Sequence, residues 1–120
     1  MALCDKACGM DHRDLLSGFV RLHILLHAAE APIYGAWIIE ELARHGYRLS
    51  AGTLYPMLHA MEKKGYLESR EERQGKTARR LYEATDAGRD ALALAREKAA
   101  ELFGELVEGH GRERRPGRTR

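Results

Sequence analysis

Apolar residues along this chain fall into helical spacing in four stretches and into extended runs in two. Residues 13–30, RDLLSGFVRLHILLHAAE, are dense in Leu, Ile, Val and Phe and poor in charge, which predicts a helix buried on more than one side. Pro32 breaks that pattern and biases Ala31 away from helical backbone. A second helix is expected over about residues 34–45, with Trp37, Ile38, Glu41 and Leu42 at helical spacing and Gly46 as its stop. In the third, Leu54, Met57, Leu58 and Met61 stand at i, i+3, i+4 and i+7, an apolar stripe facing a core. At about 100° per residue, Gly52, Pro56, His59 and Lys63 project the other way, with Thr53 and Tyr55 on the flanks. Ser50 is the expected N-cap. Pro56 requires either a late helix start or a kink.

Beyond Gly65 the period changes. Residues 66–71 and 80–83 read as extended runs, joined by the basic, glycine-bearing stretch 73–79, which predicts a β-hairpin with a longer loop. Thr85 is placed to cap a final helix over residues 86–108. Its Leu92, Ala95, Ala99, Leu102 and Leu106 step by 3, 4, 3 and 4, a narrow seam of coiled-coil type. From Gly109 onward the Gly/Arg-rich segment GHGRERRPGRTR reads as disordered. No internal repeat is visible. Three helices, a hairpin and a long helix make a mainly α chain with a small β-hairpin (α+β): a winged helix-turn-helix with a C-terminal dimerisation helix. The expected divisions are a leader at 1–12, the winged domain at 13–84, the dimerisation helix at 85–108 and a basic tail at 109–120.

Composition narrows the class. A chain of 120 residues supports one modest core. No apolar run approaches the roughly 20 residues of a membrane span and no cleavable signal opens the chain, so a cytoplasmic protein without membrane contact is expected. The net charge is only +2, but it is unevenly placed: residues 48–84 carry +3, residues 109–120 carry +4 and the remainder −5. Positive charge gathered on the third helix, the hairpin and the tail suits a polyanion such as double-stranded DNA. Solvated basic faces without a partner are also common.

The outer face of the third helix is small at its start, hydroxyl-bearing at its shoulders and basic at its end. Small residues admit close approach, hydroxyls and cations bind phosphate, and a helix fits the major groove. The same pattern also describes an ordinary amphipathic helix. Lys63 and Lys64 are phosphate-binding candidates, or solubility charge at a helix C-terminus. His59 faces outward and is placed for a base edge, or for water alone. Lys76, Arg79 and Arg80 flank the hairpin tip, where strand alternation sends Arg79 and Arg80 to opposite sides.

Two cysteines are too few for a secreted disulfide framework. Cys4, Cys8 and His12 recur at i, i+4 and i+8, which on a helix is one face and suits zinc or another soft metal; Met10 lies nearby, and His23 or His27 could complete the set. A flexible leader with incidental thiols fits the same residues, as does thiol-redox sensing. No nucleophile with a base and orienting acid occurs, and no phosphate-cradling glycine loop, so an enzyme is not expected. Two other classes stay open: a winged-helix protein-interaction adaptor without DNA binding, and a thiol-redox protein using Cys4 and Cys8.

Four segments resemble the PadR family of transcriptional regulators: Pro32-Ile33-Tyr34-Gly35; residues 49–58, LSAGTLYPML; residues 61–67, MEKKGYL; and residues 79–88, RRLYEATDAG. The similarity runs from about Leu15 to Leu106 and resembles the shorter branch with a single C-terminal helix. It implies a homodimeric DNA-binding repressor with an effector yet to be identified. It places the recognition helix on residues 50–64, with Ser50 at its start, the wing on residues 73–80, and Thr53 and Tyr55 on the DNA backbone. The last helix would pack against its partner, through the seam residues above and Phe103. Some relatives hold flat aromatic effectors between protomers, for which Trp37 and Phe103 are the bulky aromatics at hand, although core or dimer packing suits Trp37 better. The wing departs from the family in reading GKTARR where many members are richer in Gly and Pro. The leader lies ahead of the family core.

Overall fold

The structure, a computed structural model, describes residues 12–109. Cys4, Cys8 and Met10, and the Arg-rich tail beyond Gly109, lie outside them. Helix α1 spans Arg13–Glu30, a short strand β1 spans Ile33–Tyr34, and α2 spans Gly35–Arg44. Helix α3 follows at Ala51–Lys63, then strands β2 at Leu67–Gln74 and β3 at Thr77–Ala84, and α4 at Asp86–Phe103. A π-helical turn, Gly104–Glu108, extends α4 to Gly109, which closes it in the left-handed region at φ 74°.

The core is made by the stripes that periodicity selects. Val20, Ile24, Leu25 and Ala28 of α1, Ile38 and Leu42 of α2, and Leu54, Leu58 and Met61 of α3 are buried with Leu67, Tyr82, Ala84 and Leu92. Met57 is half-buried at the edge of that cluster. Both α2 and α3 end in Schellman motifs, with a glycine taking the positive φ that other residues resist. In α2, Tyr47 N–H donates to the Leu42 carbonyl and Gly46 N–H to Ala43; in α3, Tyr66 N–H donates to Met61 and Gly65 N–H to Glu62.

Two expectations need correction, and of the two readings of Pro56 the late start is excluded. Tyr34 is not helical: Ile33 and Tyr34 pair antiparallel with Tyr82 and Leu81, making a three-stranded sheet of order β1-β3-β2. Pro32 ends α1 in extended backbone, and the chain pairs with β3 before turning into α2. The hairpin loop is short, because Gln74 pairs with Thr77 and only Gly75 and Lys76 remain in the turn. Gly75 has φ 64° and Lys76 does not share the positive region, the pattern of a type II′ turn. Finally, α3 does not start late. Pro56 sits inside it, and the hydrogen bond it lacks would fall on the carbonyl of Gly52, in the exposed first turn.

Candidate nucleic-acid interface

Ser50 caps α3, its Oγ accepting the Thr53 N–H at 3.3 Å. The two hydroxyls then lie side by side, Ser50 Oγ–H donating to Thr53 Oγ1 at 3.4 Å, at the helix end where backbone N–H groups are open. From this positive end an exposed row runs down the helix through Tyr55, Pro56 and His59 to Lys63, lining a shallow groove with Ala60 and Glu62. Small residues begin this row and a cation ends it, as the sequence predicts.

Tyr55 has a second attachment. Its ring lies over Gly35, the first residue of α2, so closely that a Cβ there would stand 2.6 Å from Tyr55 Cε1. This leaves the side chain 37% exposed. Tyr55 therefore joins the two helices of the helix-turn-helix while keeping part of its ring toward solvent.

The wing is tied to the same helix. Arg80 Nη1 donates to Ser69 Oγ at 3.0 Å, and the Ser69 hydroxyl donates to Glu62 Oε2 of α3 at 2.8 Å. Burial, and after it the Glu62 carboxylate, push the Tyr82 phenol above its ordinary pKa, so that core tyrosine stays neutral. On the other face of β3, Arg79 lies 4.3 Å above the Tyr34 ring and donates to Gln74 Oε1 at 3.3 Å. The Tyr34 hydroxyl donates to Glu72. Arg79 and Arg80 thus take opposite faces, as strand alternation requires, and both hold neighbours. Lys63, Lys64 and Lys76, by contrast, are exposed and pair with no carboxylate among the described residues. Arg73, beside the turn, is a further exposed cation that the longer expected loop concealed.

The start of α4 is built by the sequence Tyr82-x-x-Thr85-x-x-Gly88. Thr85 Oγ1 accepts the Gly88 N–H at 2.9 Å and donates to the Gly65 carbonyl at 2.5 Å. Gly88 packs onto the Tyr66 backbone carbonyl, where any Cβ would collide. One hydroxyl therefore joins the end of α3 to the start of α4.

Of the expected seam, Leu92 is buried within its own chain against α1. Ala95 and Ala99 line a groove of about 380 Å³ between α1 and α4, together with Phe19, Leu22 and Leu26. Leu102, Phe103 and Leu106 are exposed, Leu106 at 71%, and so are Leu15 and Phe19 of α1. Trp37 belongs to neither core nor groove: it is 44% exposed, with the His27 ring edge-on at 5.3 Å. It is not brought together with Phe103. Of Cys4, Cys8 and His12, only His12 falls among the described residues, just ahead of α1, while His23 and His27, the possible fourth ligands, lie within α1. No helix among the described residues is long and apolar enough to cross a membrane.

Comparison with known proteins gives a consistent picture. The model of the family described as "Transcriptional regulator PadR-like family" matches residues 24–94. The chain is 50% identical over 97 residues to the transcriptional regulator Rv3488 of Mycobacterium tuberculosis, covering 81% of this chain and 91% of that one. It is similar to the crystal structure of a PadR family transcriptional regulator from Eggerthella lenta, with a TM-score of 0.70, 29% identity and coverage of 79% and 84% of the two chains. A transcriptional regulator from Clostridium thermocellum superposes with a TM-score of 0.68 at 26% identity, covering 82% of this chain and 98% of that one.

Proposed function

Because the chain belongs to the PadR-like family of transcriptional regulators, and so acts in DNA-binding regulation, we propose that it is a homodimeric repressor that reads double-stranded DNA with α3. The observation that carries this reading is the exposed row from the capped start of α3 to Lys63, beside a wing held to α3 through Arg80, Ser69 and Glu62. A helix N-terminus with two adjacent hydroxyls suits a phosphate, through its open N–H groups and the positive end of its dipole. In this arrangement Ser50, Thr53 and Tyr55 meet backbone, His59 faces a base edge, and Lys63, Lys64 and Lys76 neutralise phosphates. Arg79 and Arg80 chiefly set the wing's shape, with exposed guanidinium edges turned to either side.

Pairing of two chains through Leu102, Phe103 and Leu106 would present two reading heads to a two-fold symmetric site. Repression is then steric: the dimer occupies a promoter until an effector favours a different spacing of the heads. The test is an electrophoretic shift with DNA from upstream of the protein's own coding region, read across salt concentrations. A shift that weakens steeply with salt, and weakens further in Thr53→Ala/Lys63→Ala, supports the reading. No shift at low salt, or an unchanged one in the double variant, rejects it. An adaptor without DNA binding would give the first of these results, no shift even at low salt.

A further inference from the structure

Helices α1 and α2 cross so that two i, i+4 pairs face each other: His23 and His27 from α1, and Glu41 and the C-cap residue His45 from α2. One ring nitrogen from each of the three histidines lies within 4.8 Å of the others. We infer that His23, His27, His45 and Glu41 form a binding site for one divalent transition-metal ion of the zinc class, on the seam between α1 and α2.

The donor set fits that chemistry, since three imidazoles and one carboxylate oxygen suit a tetrahedral zinc-type ion. With bonds near 2.0–2.1 Å, neighbouring ligand atoms of such a shell stand roughly 3.4 Å apart. Glu41 Oε2 is already 3.6 Å from His27 Nε2 and 3.3 Å from His45 Nε2. The widest nitrogen separation, at most 4.8 Å, needs a contraction of roughly 1.4 Å, within the reach of ring rotations.

The surroundings orient these ligands. Glu30 Oε1 stands 3.6 Å from His27 Nδ1. A carboxylate on that nitrogen favours the tautomer that leaves Nε2 free to ligate, the arrangement of a carboxylate–histidine–zinc relay. Arg44 sits 3.4 Å from Glu41 Oε1, the oxygen the histidines do not use. The Schellman motif at Gly46 fixes the backbone that carries His45. His23 stacks on His45 with ring centroids 4.7 Å apart, which holds the two imidazoles side by side across the seam.

The proposed ligands include none of Cys4, Cys8 and His12, although His23 and His27 are the residues that the sequence offers as a fourth ligand to that set, and the chemistry of the site does not depend on DNA binding. The full-length Cys4→Ser/Cys8→Ser chain is titrated with Co²⁺, following Trp37 fluorescence and metal stoichiometry, and then with competing Zn²⁺. His27 lies edge-on to Trp37, the only tryptophan, so a paramagnetic ion bound there should quench its emission. The expected result is one Co²⁺ per chain, quenching reversed by Zn²⁺, and affinity lowered at least ~10-fold in His23→Gln, His45→Gln and Glu30→Gln. Stoichiometry well below one, or undiminished binding in His23→Gln/His45→Gln, overturns the site. Should that double variant not fold, zinc-edge X-ray absorption of the loaded Cys4→Ser/Cys8→Ser chain decides. Three imidazoles in the shell support the proposal, and one or none refutes it.

Discussion

The ring of Tyr55 on the recognition helix occupies the space where a side chain at Gly35 would begin, with Cε1 2.6 Å from an added Cβ. Gly35 opens α2, where alanine would ordinarily favour the helix by up to about 1 kcal/mol. Overpacking of a tight contact costs about 1–3 kcal/mol, so the clash prevails. Gly35→Ala is expected to lower stability and, by tilting α3, to weaken DNA binding. In a Tyr55→Ala background the same substitution should cost little in stability, because the obstructing ring has gone. A double-mutant cycle by urea denaturation checks this, and additive effects would refute the coupling.

The Thr85 hydroxyl serves both ends of its junction, accepting from Gly88 and donating to the Gly65 carbonyl. Thr85→Val keeps the shape and removes both bonds. The expected loss is roughly 1–2 kcal/mol, seen as a fall of several degrees in Tm. Thr85→Ser should restore most of it. Equal behaviour of the two variants would show that shape, and not the hydroxyl, holds the junction.

Much of this was legible because it is periodic. Leu54, Leu58 and Met61 announce their burial at helical spacing, and Ser50 and Thr85 announce the caps. The strand at Ile33–Tyr34 is too short to have a period, and only its pairing with Leu81 and Tyr82 reveals it. The outer hairpin reads as loop because Arg73, Gln74, Thr77, Ala78 and Arg79 are exposed on both faces, so no alternation marks their strands. Trp37 reads as core by size, yet it lies half-exposed against His27. The histidine cluster was hidden for another reason. Each i, i+4 pair is visible in the sequence, but the crossing that brings His23 and His27 to Glu41 and His45 is a tertiary fact.

Leu102, Phe103 and Leu106 expose apolar surface at the end of α4, with Leu15 and Phe19 exposed on α1. If that surface is the dimer seam, a charge placed there must be desolvated for the chains to pair. Phe103→Glu/Leu106→Glu is expected to sediment as a monomer with α2 and α3 intact by circular dichroism, and to lose most of its affinity for a two-half-site DNA. A dimer that survives the double substitution would locate the seam elsewhere.

Lys63 and Lys76 are exposed and pair with no carboxylate among the described residues, whereas Arg80 is engaged by Ser69 and Arg79 by Tyr34 and Gln74. A cation that neutralises a phosphate releases counterions, so removing it flattens the dependence of log K on log salt by about 0.9 for each contact. Lys63→Ala and Lys76→Ala should each flatten the slope by about that amount per protomer bound and weaken all sequences alike. Ser69→Ala removes no cation and unlinks Arg80 from Glu62. It should therefore lower affinity through the wing's position while leaving the slope nearly unchanged. Fluorescence anisotropy over a range of salt concentrations separates the two effects. A slope unmoved by both lysine substitutions would mean that neither lysine meets phosphate.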